Sequence, residues 1–89
     1  MEFDFSEDKN RLLFEERGVT FQDAINSIAE KGILADFPHP NIKRYSNQRI
    51  LVVDIGGYTY CVPYVFDGDI IYLKTLFPSR KFMYFLEDK

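Results

Sequence analysis

Residues 49–77 read RILVVDIGGYTYCVPYVFDGDIIYLKTLF. Three runs rich in β-branched and aromatic residues are separated by two short turn signals, the pattern of consecutive strands. Gly56-Gly57 fits the two-residue loop of a hairpin joining Arg49–Ile55 to Tyr58–Phe66. Asp67-Gly68-Asp69 turns the chain again, and Ile70–Phe77 completes a three-stranded meander that pairs locally and needs no crossover. Pro63 removes a ladder donor, so its strand is bulged or exposes an edge there. Ile71, Leu73 and Leu76 mark the third strand as packed, and alternation groups Lys74 with Tyr72 and Leu76.

Before the meander, Phe3 and Phe5 alternate with Glu2 and Asp4 as a short first strand. Ser6 has the chemistry of an N-cap, Glu7 and Asp8 suit the positive end of a helix dipole, and Gly18 supplies a left-handed stop. The first helix is therefore expected over residues 7–17. Thr20 with Asp23 repeats the start signal in capping-box form, and Val19 is spaced to staple against Ala24. Phe21, Ala24, Ile25, Ile28 and Ala29 lie on one helical face, which Gly32 ends. A small strand near Ile33 to Asp36 and an irregular connection at Phe37-Pro38-His39-Pro40-Asn41 follow, since each proline forbids helix. After Pro78, Ser79 can cap a short terminal helix with Phe82, Phe85 and Leu86 on one face. The expected fold is α+β, a small antiparallel sheet with a helix pair on one face, ordered β-α-α-β-β-β-α. Residues 1–89 form one domain.

Nine Phe and six Tyr among 89 residues support a dense core in so small a chain. The single cysteine, Cys61, can form no internal disulfide and no thiolate-rich zinc site, which points to a reducing compartment. No apolar run reaches the roughly 18 residues that span a bilayer, and the acidic start is no signal peptide. A cytoplasmic protein with no membrane contact is expected. Net charge is −3, the wrong sign for a nucleic-acid binder, but it is unevenly placed. Residues 1–36 hold nine acids against four Lys and Arg, whereas residues 37–89 hold five against seven. Neither 37–53, with Lys43, Arg44 and Arg49, nor 70–86, with Lys74, Arg80 and Lys81, contains an acid, so a local positive face is available.

The strand end Phe77-Pro78-Ser79-Arg80-Lys81 brings a proline stop, a hydroxyl and paired cations together on a packed scaffold, a combination suited to an anion such as phosphate. The alternative is that Ser79 only caps a helix and the cations are solvated. Arg80 is the first candidate for gripping a phosphate, because its planar fork donates two parallel hydrogen bonds; Lys81 and Lys74 follow as point charges. His39, between two prolines, is the sole side chain with an ordinary pKa near neutrality and a candidate general acid or base, or else a turn residue. Arg44 and Arg49 suit a flanking phosphate or merely guard a strand edge. Tyr64 or Tyr45 can stack a base, with a core or rim role as the alternative. Asp36 and His39 are a conceivable carboxylate–imidazole pair, and Cys61 reads as buried packing. No residue pattern calls for a metal or cofactor.

Several segments resemble, in order and spacing, the BrnT-like toxins of the RelE/ParE superfamily from bacterial type II toxin–antitoxin pairs. They are Phe3-Asp4-Phe5 with Asp8-Lys9-Asn10, Arg17-Gly18-Val19-Thr20-Phe21 with Ala24, and Asp36 with His39. The strands Ile50–Val53, Tyr60–Tyr64 and Ile71–Thr75, and above all Pro78-Ser79-Arg80-Lys81, complete the likeness, which spans nearly the whole chain. The chain has Glu16-Arg17-Gly18 where the family usually shows Lys-His-Gly, and Phe82 where many relatives have alanine. The resemblance implies a metal-independent endoribonuclease that cleaves RNA by 2′-hydroxyl attack and is silenced by a cognate antitoxin. Arg80, His39 and Lys81 would be catalytic, and Lys74, Arg44, Arg49 and Tyr64 would bind RNA. DNA would be met only through the antitoxin; the number of copies in an assembly stays open. The alternative is a non-catalytic protein-interaction module with a toxin-like fold, which the net charge and the missing imidazole favour.

Overall fold

In the computed structural model, which describes residues 1–87, β1 (Glu2–Phe5) leads into α1 (Glu7–Arg17) through a capping serine. The Ser6 hydroxyl accepts the Lys9 N–H, and Gly18, at φ 73°, closes the helix by donating its N–H to the Phe14 carbonyl. α2 (Phe21–Lys31) starts in a reciprocal capping box in which Thr20 accepts the Asp23 N–H and the Asp23 carboxylate accepts the Thr20 N–H. Asn10 ties the helices together, its side-chain oxygen accepting the Phe21 N–H at 2.7 Å. Both helices begin and end where the capping residues predict.

The sheet comprises β1, β2 (Ala35–Pro38), β3 (Arg49–Ile55), β4 (Tyr58–Asp67), β5 (Ile70–Leu73) and β6 (Phe77–Pro78). Its order is β1-β5-β4-β3-β2, with β6 also on β4. The α+β class stands, but the sheet is mixed rather than antiparallel, because β1 runs parallel to β5. The helix pair carries the chain from β1 to β2 at the far edge, and the meander walks back until β5 meets β1 in the same direction. β2 extends to Pro38, beyond the expected small strand, because an edge strand tolerates a residue with no N–H.

The third meander strand is broken. Leu73 pairs with Tyr64 and Phe77 with Cys61, so Lys74, Thr75 and Leu76 stand opposite only Val62 and Pro63. This one-residue excess is a β-bulge. The Pro63 carbonyl accepts the Lys74 N–H at 2.8 Å, so its missing donor faces the same side, where the bulge absorbs the lost bond. The bulge also corrects the expected grouping. Leu76 is buried with Ile71 and Leu73, while Lys74 is exposed with its ammonium 5.5 Å from the Tyr72 ring centre.

Side-chain alternation then builds two apolar faces. Leu51, Val53, Val62, Tyr64, Ile71, Leu73 and Leu76 meet Leu13, Phe21 and Ala24 of the helices. On the reverse face, Ile50, Val52 and Cys61 are covered by Phe37, Phe82 and Phe85. Phe82 and Phe85 belong to a terminal 3₁₀ segment, Arg80–Leu86, rather than an α-helix. With three residues per turn, positions 82 and 85 eclipse, so Leu86 does not join them as expected. Ser79 makes no side-chain cap; its N–H and carbonyl instead bond to Thr59, fixing the start of the segment to β4.

Candidate functional site

The residues singled out from sequence fall in three places. Arg49 and Tyr64 are opposite one another in the β3–β4 register and lie on the helix-bearing face. Asp36 joins them from β2: the Tyr64 hydroxyl is 3.0 Å from both carboxylate oxygens. The Arg49 Nε donates to Asp36 Oδ1 at 3.0 Å, and Nη2 donates to the Asp36 carbonyl at 3.3 Å. Asp36 therefore pairs with an arginine and a phenol, not with His39. The Arg49 fork is already engaged, which leaves it holding the edge strand β2 rather than open to a phosphate.

Charge and burial in this group act together. Burial first, and then the Asp36 carboxylate, push the Tyr64 phenol above its ordinary value, while Asp36 holds the Arg49 guanidinium more firmly protonated. A phenol raised on folding contributes stability that is complete below about pH 10, its unfolded value, and is lost as pH rises through the folded value. Tyr64→Phe is expected to show a shallower loss of stability above pH 10 than the wild type, measured by urea unfolding across an alkaline series. Asp36→Ala leaves the buried phenol without its acceptor and is expected to destabilise by about 1–3 kcal/mol. In a double-mutant cycle by denaturant midpoint, adding Tyr64→Phe should cost less than it does in the wild type.

The second place is the loop between β2 and β3. His39 Nδ1 accepts the Asn41 N–H at 3.0 Å, so the ring shapes the turn and presents only Nε2. Its ring lies 4.4 Å from that of Tyr45, over which the Arg44 guanidinium sits at 5.4 Å. Tyr45 is thus packed among its own loop residues. Arg44 itself is exposed.

The third place is the reverse face. Arg80 and Lys81 open the 3₁₀ segment, exposed, with the Lys81 ammonium 5.5 Å from the Phe82 ring centre. Cys61 lies buried beneath; burial raises its thiol pKa, partly offset by Ser79 and the Lys81 charge. Lys74 shares this face, but Pro78 pairs with Tyr60 and Leu73 with Tyr64, and four strand residues span about 13 Å. Lys74 therefore stands apart from the Arg80 end along β4. The ion pairs among the described residues are Arg11–Asp8, Lys31–Asp54 and Arg49–Asp36, so Arg49 is the one predicted site cation that is in an ion pair there.

No family model and no curated protein matches the chain. Among the described residues no group of three or more His, Cys, Asp or Glu side chains could hold a metal, and no helix is long and apolar enough to cross a membrane. Sequence reading missed Asp36 as the hub of the Arg49–Tyr64 network. Its signal was faint, an acid two positions before a β2 proline, with partners that become neighbours only through strand pairing.

Proposed function

We propose that the protein is the toxin component of a type II toxin–antitoxin pair, an endoribonuclease that acts through a phosphate seat at Ser79-Arg80-Lys81. The observation that carries the reading is that two exposed cations sit at an anchored chain turn. Thr59 binds both the N–H and the carbonyl of Ser79, and its own N–H reaches the Met83 sulfur at 3.4 Å. The cations therefore extend from a backbone fixed to the central strand, as charge stabilisation requires. The α+β fold with two helices on one face and the likeness around Pro78–Lys81 support the same reading.

In the proposed reaction the RNA 2′-oxygen attacks the adjacent phosphorus as its proton leaves to a base. The bond to the 5′-oxygen breaks, and that oxygen takes up a proton, leaving a 2′,3′-cyclic phosphate and a 5′-hydroxyl. Arg80 would hold the two non-bridging oxygens as charge builds, with Lys81 as a second cation. His39 is not brought to this seat: its N–H is bonded to Gln48, which the β3–β4 register sets six residues, about 20 Å, from Thr59 and Ser79, so it does not serve as the base or acid there. An antitoxin that masks the cations with acidic side chains would silence the site.

The test is induced expression in a bacterial host, with growth and total RNA followed together. Growth arrest with RNA fragments ending in 5′-hydroxyls is the expected result. Soluble, folded protein with neither arrest nor fragments would overturn the proposal. A non-catalytic interaction module is the second reading, favoured by Phe66, which is 64% exposed and meets the Tyr64 ring edge-on.

A further inference from the structure

Two exposed surfaces of this chain have opposite charge, and each carries apolar side chains that nothing covers. α1 buries Leu13 alone, whereas Leu12 is 42% and Phe14 61% exposed beside the exposed Glu15 and Glu16. Arg11 is answered within the helix by Asp8 at 3.3 Å, and neither Glu15 nor Glu16 makes an ion pair among the described residues. Leu12, Glu15 and Glu16, spaced i, i+3 and i+4, share one side of this helix, whereas Phe14 projects from another.

The loop between β2 and β3 is its complement. Although it contains no regular element, it is tied by its own groups: the His39 N–H to the Gln48 carbonyl, the Tyr45 N–H to the Asn41 carbonyl, and the Gln48 N–H to the Tyr45 carbonyl. The Asn41 side chain also accepts the Arg44 N–H. A loop so held keeps its tip preorganised, and that tip presents Ile42, 60% exposed, with Lys43 and Arg44. The Arg44 guanidinium lies 5.4 Å from the Tyr45 ring centre and makes no ion pair among the described residues, so its N–H groups are available to a carboxylate. The Tyr45 ring is engaged by His39 and Arg44, which disfavours base stacking, and Ile42 has no part to play against a phosphate backbone. The surface fits an acidic protein segment with an apolar side chain.

We infer that this segment is α1 of a second copy of the chain, with Ile42 against Leu12 and the two cations facing Glu15 and Glu16. The contact joins two different surfaces, so each copy has one of each to offer and the association is head to tail. It is independent of the ribonuclease proposal. The patch is small, which places it with weak, transient interfaces below about 1,200 Å².

Sedimentation velocity on the full chain, up to about 1 mM protein, tests this in low salt and in about 1 M salt, where screening is nearly complete. The average mass is expected to rise with concentration in low salt and much less in high salt. Lys43→Glu with Arg44→Glu, and separately Glu15→Lys with Glu16→Lys, should each weaken association at least 10-fold. In their equimolar mixture the acidic loop of one variant meets the lysine-bearing helix of the other, and native loop meets native helix, so the mixture should associate; all four changes in one chain likewise restore opposite charges and should restore association. A second pair reads the apolar contact: Ile42→Ser and Leu12→Ser each have one intact surface, so their mixture should stop at a 1:1 dimer. Circular dichroism confirms that each variant is folded before it is scored. A wild type that stays monomeric at about 1 mM, variants that associate like the wild type, or a four-change chain that stays monomeric would each overturn the inference.

Discussion

Phe21→Ala is expected to destabilise the protein by about 3–5 kcal/mol, the usual result of emptying a large aromatic site in a core. Phe21 has no exposed surface, and its ring lies 5.0 Å from that of Phe5, so it joins the first turn of α2 to β1. The site has little freedom to collapse. The Phe21 N–H is held by Asn10 of α1, and Leu13, Ala24 and the inner faces of β3, β4 and β5 surround the same cluster. Domains of this size typically have about 5–15 kcal/mol in all, so the variant would be marginally folded at ambient temperature. The midpoint of urea unfolding should fall with little change in slope, and Phe21→Leu, which keeps most of the volume, should cost less. A loss below about 1 kcal/mol for Phe21→Ala would mean that the helices repack around the vacancy.

Arg80→Ala is expected to lower RNA cleavage by about 100- to 1,000-fold, the range seen when a single preorganised donor to a developing charge is removed. The side chain is exposed and the anchoring of Ser79 to Thr59 uses backbone atoms of residue 79, so the fold should be untouched. Arg80→Lys keeps the charge but loses the two-pronged donor and should fall between the two. The measurement is cleavage of a defined oligoribonucleotide by purified protein, with thermal unfolding run in parallel. Unchanged cleavage by a folded Arg80→Ala protein would remove Arg80 from the proposed site. The contrast with Arg49 is informative, because Arg49→Ala should act mainly on stability by removing the cation that pairs with Asp36, to which the Tyr64 phenol stays bonded.

Local signals account for the elements that are legible in the chain itself. Ser6, Gly18, Thr20, Asp23 and Gly32 act through hydrogen bonds reaching three or four residues, and such bonds form in the same way wherever the helix packs. The Gly56-Gly57 hairpin is equally local, both residues having positive φ. Pro63 pointed to a bulge or an open edge in its own strand, but β4 pairs regularly with β3 through Pro63 and the extra residue lies in the facing segment Lys74–Leu76. The site was less legible. Residue types identified the exposed cations, but not that Arg49 is engaged by Asp36, that Lys74 lies about 13 Å along β4 from the Arg80 end, or that Tyr45 is packed within its own loop.

By itself, then, the sequence determined where the helices start and stop, where the chain turns, and that a helix pair and a β meander share one small domain. Those features depend on short-range bonding and on periodicity, which a linear string contains in full. Only the tertiary structure decided that β1 runs parallel to β5, that the bulge turns Leu76 inward, and that Asp36, Arg49 and Tyr64 form one network. Each of these depends on which strands become neighbours and in what register. That choice is made by burying two apolar faces at once, a condition no single segment can express.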